Sequence, residues 1–133
     1  MSKIVLDASA VLAMILREPG GDRVARALDA ANQRASAGVA ISSVNWCEVL
    51  TKLRRSPASL TPEELAGILS GVEVVPFERS DAGLAAQMNL LAPFISLGDR
   101  ACLALASTRG ATAWTTDKSW GRAKVGVPIE VLR

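Results

Sequence analysis

Apolar residues occur along this chain in short continuous runs that alternate with longer amphipathic stretches. A run such as Ile4, Val5 and Leu6 is typical of a strand buried on both faces, whereas apolar positions spaced three and four apart are typical of helices. The pattern predicts strands at residues 3–7, 39–42, 72–76, 111–115 and 128–132. It predicts helices at residues 10–16, 21–34, 44–55, 62–70, 80–91 and 97–109.

Two local signals support these helix boundaries. Thr61 as N-cap, Pro62 at the first helical position and Glu64 three residues after the cap form a strong helix start. Pro93 cannot continue a helix, so it is expected to separate the two helices on either side of it.

The order of strands and helices predicts the fold class. Strands separated by helices need crossover connections, which favour an α/β fold with a mainly parallel sheet of four to five strands and helices on both faces. This is a three-layer α/β/α sandwich. A chain of 133 residues that is 50% hydrophobic fits one domain, residues 1–133.

Composition excludes several kinds of chemistry. The chain has no histidine and no tyrosine, which removes histidine-based nucleases, Ser-His-Asp hydrolases and histidine-ligated zinc sites. Cys47 and Cys102 lie in apolar helical patterns without metal-ligand spacing, so we interpret them as small core residues. The first residues run directly into a strand and no apolar stretch reaches the length of a membrane span, which predicts a cytoplasmic protein without a membrane segment.

Four of the 13 acidic residues have unusual positions: Asp7, Glu48, Asp99 and Asp117. Asp7 and Asp117 each follow a predicted strand, at the sheet edge where α/β proteins bind ligands. The other two lie near helix starts. Each has a structural alternative, since the three aspartates could cap helices and Glu48 could lie on a solvated helix face.

Taken together, the four acids favour a cation-binding site. If they converge, they form an oxygen-only cluster that repels itself unless a cation is bound. Carboxylate oxygens suit Mg²⁺, or alternatively Mn²⁺, far better than zinc.

Four segments also carry a family resemblance: VLDASAVLA, SSVNWCEVL, SLGDRACLALA and TTDKSW. In this order and spacing they resemble the PIN-domain ribonucleases, specifically the VapC-type toxins of bacterial toxin–antitoxin pairs. The resemblance implies a PIN-like fold and a metal-dependent endoribonuclease with Asp7, Glu48, Asp99 and Asp117 as catalytic, metal-binding acids. Ser9 and Thr115 match the family's supporting hydroxyls, and Asn45, three residues before Glu48, is placed to orient that carboxylate.

The resemblance also implies partners. These are a cognate VapB-type antitoxin, a second copy of the chain in a homodimer, and an RNA substrate such as tRNA or ribosomal RNA. The charge of the chain is consistent with a polyanionic substrate. Outside the four candidate acids there are 15 basic and nine acidic residues, which gives a net charge of +6. The candidate phosphate contacts are Lys52, Arg54, Arg55, Arg100, Lys118, Arg122 and Lys124.

Other functions are weighed against this one. A Mg²⁺-dependent phosphatase of the aspartyl-phosphate type needs a second aspartate two residues after the first, where this chain has Ser9. A catalytically silent PIN-like binding module is the other alternative, and the presence of all four acids argues against it. A dinucleotide-binding fold is weaker still, since no glycine-rich turn follows the first strand.

Overall fold

The fold is described here from a computed structural model, which covers residues 3–33 and 38–133. The strands are β1 (Ile4–Leu6), β2 (Val39–Ser42), β3 (Glu73–Val75), β4 (Thr112–Thr115) and β5 (Ile129–Val131). The helices are α1 (Ala8–Ile15), α2 (Gly21–Gln33), α3 (Ser43–Leu53), α4 (Pro62–Ile68), α5 (Arg79–Leu91) and α6 (Leu97–Arg109), followed by a 3₁₀ helix, Lys118–Arg122.

The predicted elements are confirmed, with boundaries that differ by no more than two residues. Arg34, the predicted last residue of the second helix, lies outside the described residues, as do the first two residues of the chain.

All five strands are parallel, in the order β3-β2-β1-β4-β5. The chain moves outward on one side of β1 through β2 and β3, then returns to place β4 on the other side. The carboxyl ends of β1 and β4 therefore flank the point where strand order switches, and Leu6 pairs with Trp114 there. This is the edge at which the two strand-end aspartates were predicted.

Helices cover both faces of the sheet. Leu6 and Ile41 face a core formed with α1, α2, α3 and α4. Val5 and Ala113 point the opposite way, into a core formed with α5 and α6. Alternate residues of the central strands thus enter different cores, which confirms the three-layer α/β/α sandwich.

Local sequence signals fix several of the helix ends. The capping box at α4 is present, since Thr61 Oγ1 accepts from Glu64 N–H and the Glu64 carboxylate accepts from Thr61 N–H. Pro93 lies between α5 and α6, as expected. α6 ends at Gly110, whose φ of 60° is the left-handed conformation that favours glycine. Within the described residues, no helix combines the length and apolar character needed to cross a membrane.

Candidate active site

Asp7 lies at the end of β1 and is almost fully buried, with 2% of its surface exposed. Its Oδ1 accepts a hydrogen bond from Ala10 N–H at 2.8 Å, which caps α1. Ser9 Oγ donates to the same carboxylate at 2.8 Å, and Thr115 Oγ1 donates to Oδ2 at 2.6 Å. The two interpretations of Asp7, as a helix cap and as part of a functional site, are therefore compatible, because the same carboxylate caps α1 and binds both hydroxyls.

Burial dominates the electrostatics of this carboxylate. Removal from water raises the pKa of Asp7 to about 6, although the hydrogen bonds from Thr115, Ala10 and Ser9 act to lower it. The negative charge of Asp99 raises the pKa further. Among the described residues, no lysine or arginine forms an ion pair with Asp7. The charge of Asp7 is therefore balanced by hydrogen bonds and not by a basic side chain.

The hydroxyls of Ser9 and Thr115 connect the ends of β1 and β4. Ser9 Oγ accepts from Thr116 N–H at 3.0 Å, and Thr115 Oγ1 accepts from Asp117 N–H at 3.0 Å. Each hydroxyl therefore donates to Asp7 while accepting from the backbone that follows β4. This arrangement holds the two strand-end aspartates in one network.

Asp117 begins the 3₁₀ helix, and its Oδ1 accepts from Ser119 N–H at 2.9 Å. The expected cap of a short final helix is thus present. Asp117 is exposed, and its charge is close enough to Asp99 to raise the pKa of that residue. Capping again does not remove this carboxylate from the site.

Asp99 occupies the first turn of α6, where its N–H donates to Ser96 Oγ at 3.2 Å. Unlike Glu64 in α4, its carboxylate does not complete a capping box. Burial raises the pKa of Asp99, the Ser96 hydroxyl and the Trp120 indole N–H lower it, and the charges of Glu48 and Asp117 raise it. Trp120 Nε1 is buried and faces this carboxylate, but it has no hydrogen-bond partner among the described residues.

Glu48 is held against the start of α6 by Asn45, which is fully buried. Asn45 Nδ2 donates to Glu48 Oε1 and to Gly98 O, both at 2.9 Å. The predicted orienting contact between Asn45 and Glu48 is therefore seen. Asn45 Oδ1 is buried beside these groups without a hydrogen-bond partner.

Gly98 gives Glu48 the space it occupies. A Cβ atom at position 98 would overlap Glu48 Oε2 and lie 2.7 Å from its Cδ. Sequence reasoning did not identify this residue. The available signal was a glycine in the first turn of a helix, where glycine is otherwise unfavourable.

Asp99 links the acidic cluster, because its charge interacts with those of Asp7, Glu48 and Asp117. Across residues 3–33 and 38–133, no three acidic, cysteine or histidine side chains lie at the close spacing of a complete metal shell. The chemistry of the donors nevertheless fits a hard cation. All are oxygen ligands, and Mg²⁺ commonly uses only one or two carboxylates and completes its shell with water.

Arg100, one of the predicted phosphate contacts, is directed into the protein. Arg100 donates from its guanidinium to Ala85 O at 3.0 Å and to Ile95 O at 3.3 Å. It braces α6 against α5 and the loop between them, so the suggestion that Arg100 contacts phosphate is not supported. Lys118, Arg122 and Lys124 are exposed in and beside the 3₁₀ helix that Asp117 begins.

Solved structures share this architecture over almost the whole chain. A chain of the DNA-bound VapBC structure from Salmonella typhimurium has 24% identity and a TM-score of 0.73, with 98% of both chains covered. A toxin–antitoxin complex from Klebsiella pneumoniae has 15% identity and a TM-score of 0.74, also with 98% of both chains covered. FitAcB from Neisseria gonorrhoeae has 21% identity and a TM-score of 0.65, with 95% of both covered.

Sequence comparison identifies the family. A search of curated proteins gave no significant match. The family model described as PIN domain matches residues 4–126, which is nearly the whole chain and includes all four predicted acids. This chain therefore belongs to the PIN domain family.

Proposed function

We propose that this chain is a metal-dependent endoribonuclease, the VapC-type toxin of a toxin–antitoxin pair. The observation that carries the proposal is the buried Asp7 carboxylate, which receives hydroxyl hydrogen bonds from Ser9 and Thr115 and is close to the charge of Asp99. A buried acid with a raised pKa, no ion-pair partner and acidic neighbours is typical of a functional site. Membership of the PIN domain family supports the same conclusion.

The four acids would hold Mg²⁺, or alternatively Mn²⁺, with Asp7, Asp99 and Asp117 as the main ligands and Glu48 beside them. A divalent ion there supplies positive charge opposite the phosphodiester and lowers the pKa of water. Thr115 and Ser9 keep the Asp7 carboxylate charged and fixed in orientation. Asn45 fixes the orientation of Glu48 by a hydrogen bond, and Gly98 leaves space for its carboxylate.

Glu48 is the candidate proton acceptor, or a ligand of a second ion. Its carboxylate is oriented by Asn45 toward the start of α6, next to Asp99. In-line attack of water on phosphorus, with the proton passing to a carboxylate, breaks the bond to the 3′ oxygen. The products would be a 5′-phosphate and a 3′-hydroxyl, without the cyclic phosphate formed when the ribose 2′-hydroxyl attacks.

The proposed partners are a VapB-type antitoxin, a second copy of this chain in a homodimer, and cellular RNA, with tRNA or ribosomal RNA as expected targets in the cytoplasm. Two of the similar structures are a DNA-bound VapBC and a toxin–antitoxin complex, which is consistent with an antitoxin partner. The exposed cations of the 3₁₀ helix provide positive charge beside the acids for a phosphate backbone.

The test is cleavage of RNA by the purified chain with Mg²⁺, Mn²⁺ or EDTA. We expect cleavage with either metal, none with EDTA, and new ends that carry 5′-phosphates. Asp7→Asn and Asp99→Asn should each abolish cleavage while circular dichroism shows an intact fold, since both changes keep shape and remove charge. Wild-type cleavage by either variant, or cleavage unaffected by EDTA, would refute the proposal.

The same experiment separates the alternatives. A silent binding module would bind RNA without cutting it under any metal condition. A phosphatase would release phosphate from small phosphoesters, yet the group at the position of its second acid is the Ser9 hydroxyl, which donates to Asp7. That contact disfavours the phosphatase.

A further inference from the structure

Phe94 and Arg122 form an exposed stacked pair beside the acidic cluster. Phe94 lies in the loop between α5 and α6 and is 49% exposed, although it is one of only two phenylalanines in the chain. Arg122 is the last residue of the 3₁₀ helix and is also exposed. The guanidinium carbon lies 5.0 Å from the centre of the Phe94 ring, within cation–π distance.

The pair is held close to the acids by the elements that carry it. Phe94 comes five residues before Asp99, and the helix that ends at Arg122 begins at the cap residue Asp117. Trp120, in the middle of this 3₁₀ helix, is fully buried and directs its indole N–H toward Asp99. This buried contact ties the 3₁₀ helix to the start of α6, so the stacked pair lies on the rim that these two elements form.

A second cation–π pair in the chain shows a different arrangement. Arg23 lies 5.5 Å from the centre of the Trp114 ring, but it also donates to Glu130 at 2.7 Å. Trp114 is partly buried and packs against the α1–α4 core. Arg23 therefore has a structural role, and its charge is paired with Glu130. Arg122, in contrast, forms no ion pair with any described carboxylate.

We propose that Phe94 and Arg122 form a stacking platform for a nucleobase of single-stranded RNA that lies next to the cleaved phosphodiester. This rests on the proposed ribonuclease function and adds a binding subsite to it. Unpaired bases stack on aromatic rings and on guanidinium planes, whereas bases inside a duplex are already stacked on each other. Leu97, three residues after Phe94, is also exposed, and the Arg122 charge favours a polyanion over an uncharged apolar partner.

The experiment measures binding of a short single-stranded RNA that contains 2-aminopurine, whose fluorescence falls when the base stacks. EDTA is present to prevent cleavage. Phe94→Leu keeps the apolar volume and removes the aromatic face, and Arg122→Lys keeps the charge and removes the planar group. Each change should weaken RNA binding about tenfold and reduce the quenching, because stacking contributes roughly 1–3 kcal/mol per base. The matched control, Arg23→Lys, should bind like the wild type, and Phe94→Trp should retain quenching.

Cleavage and oligomeric state are measured in parallel so that the two proposals can fail separately. If the wild type cuts RNA but both variants bind and quench as it does, the platform is wrong and the ribonuclease function stands. If the wild type neither binds nor cuts RNA, both are wrong. If Phe94→Leu changes the mass in solution or the binding of an antitoxin while RNA binding is unchanged, the surface contacts protein and the platform is again wrong.

Discussion

Thr115 Oγ1 donates a hydrogen bond to Asp7 Oδ2 at 2.6 Å, across a separation of 108 residues in the sequence. The same oxygen accepts from Asp117 N–H at 3.0 Å. One hydroxyl thus favours the charged form of the aspartate that follows β1 and helps to position the aspartate that follows β4. This double role makes Thr115 a sensitive position for the whole cluster.

Replacing Thr115 with valine should therefore damage the site more than its volume change suggests. Thr115→Val removes the donor to Asp7, so the pKa of Asp7 should rise further, and it leaves Asp117 N–H without its side-chain acceptor. We expect Mn²⁺ affinity, measured by isothermal titration calorimetry, to fall at least tenfold. Thr115→Ser keeps the hydroxyl and should restore most of that affinity. Equal affinities for the valine and serine variants would mean that this hydrogen bond does not control the site.

The raised pKa of Asp7 predicts how metal-free stability depends on pH. Its folded-state pKa of about 6 lies above the ordinary value of 3.8, so ionisation disfavours the folded state. The contribution of Asp7 to the free energy of unfolding is therefore fully present below about pH 4 and is lost as the pH rises through about 6. The total change is up to about 3 kcal/mol. Chemical denaturation in EDTA should show this loss of unfolding free energy between pH 4.5 and 7.

Asp7→Asn is the control for that dependence. The variant cannot ionise at this position, so its unfolding free energy should change less with pH and exceed that of the wild type at pH 7. The ion pair of Glu73 with Arg109 lowers the pKa of Glu73 and acts in the opposite direction, but it is common to both proteins and cancels in the comparison. Parallel pH profiles for the two proteins would contradict the prediction.

Gly98→Ala should impair cleavage through Glu48. The added Cβ overlaps the Glu48 carboxylate and forces it out of its contact with Asn45. We expect cleavage to fall by at least an order of magnitude while circular dichroism retains the wild-type helix content. Glu48→Asp in the Gly98→Ala background shortens the side chain, so the double variant should lose less activity than the two single changes together imply.

Two other helical glycines provide matched controls for this change. Cβ atoms at Gly67 in α4 and Gly83 in α5 would meet nothing within 4 Å. Their replacement by alanine should leave cleavage unchanged and stabilise the protein by roughly 0.5–1 kcal/mol, since alanine favours helices over glycine. If Gly98→Ala behaves like these two controls in both assays, its proposed role is wrong.

The acidic cluster also predicts how an antitoxin would inhibit the enzyme. A guanidinium can pair with two carboxylates and displace a metal, while apolar side chains of the same segment bind beside α1. A groove of about 330 Å³ lies between α1 and α2, with Met14, Gly21 and Ala25 among charged residues in its lining, which are Arg17, Glu18 and Asp22. We expect a small protein encoded next to this one, whose C-terminal segment carries an arginine or lysine flanked by apolar residues.

Co-expression with that neighbour should restore growth to cells that express this chain. Neutralising its cation should weaken inhibition more than binding, because the apolar contacts remain. The two effects are separated by measuring cleavage and complex formation on the same preparations. A chain that is harmless when expressed alone, with no small neighbouring protein that binds it, would contradict the prediction.

The elements and the candidate acids could be predicted from the sequence alone. Helix and strand periodicity, the Thr61–Glu64 cap and Pro93 act over a few residues, so their structural consequences can be read locally. Asp7 and Asp117 were identifiable because each follows an apolar strand. The α/β class followed from the order of the elements, and the structure confirms it.

Which side chains meet could be learned only from the three-dimensional structure. The contact between Thr115 and Asp7 requires β4 to pair with β1, and strand order depends on how the crossovers pack. The space that Gly98 leaves for Glu48 depends on the packing of α3 against α6, and the contact of Phe94 with Arg122 depends on where the 3₁₀ helix lies relative to the loop before α6. Arg100 looked like a rim cation in sequence, yet its direction was set by the carbonyls of α5 and the following loop. Most of these contacts join residues far apart in the chain, so local sequence patterns do not predict them.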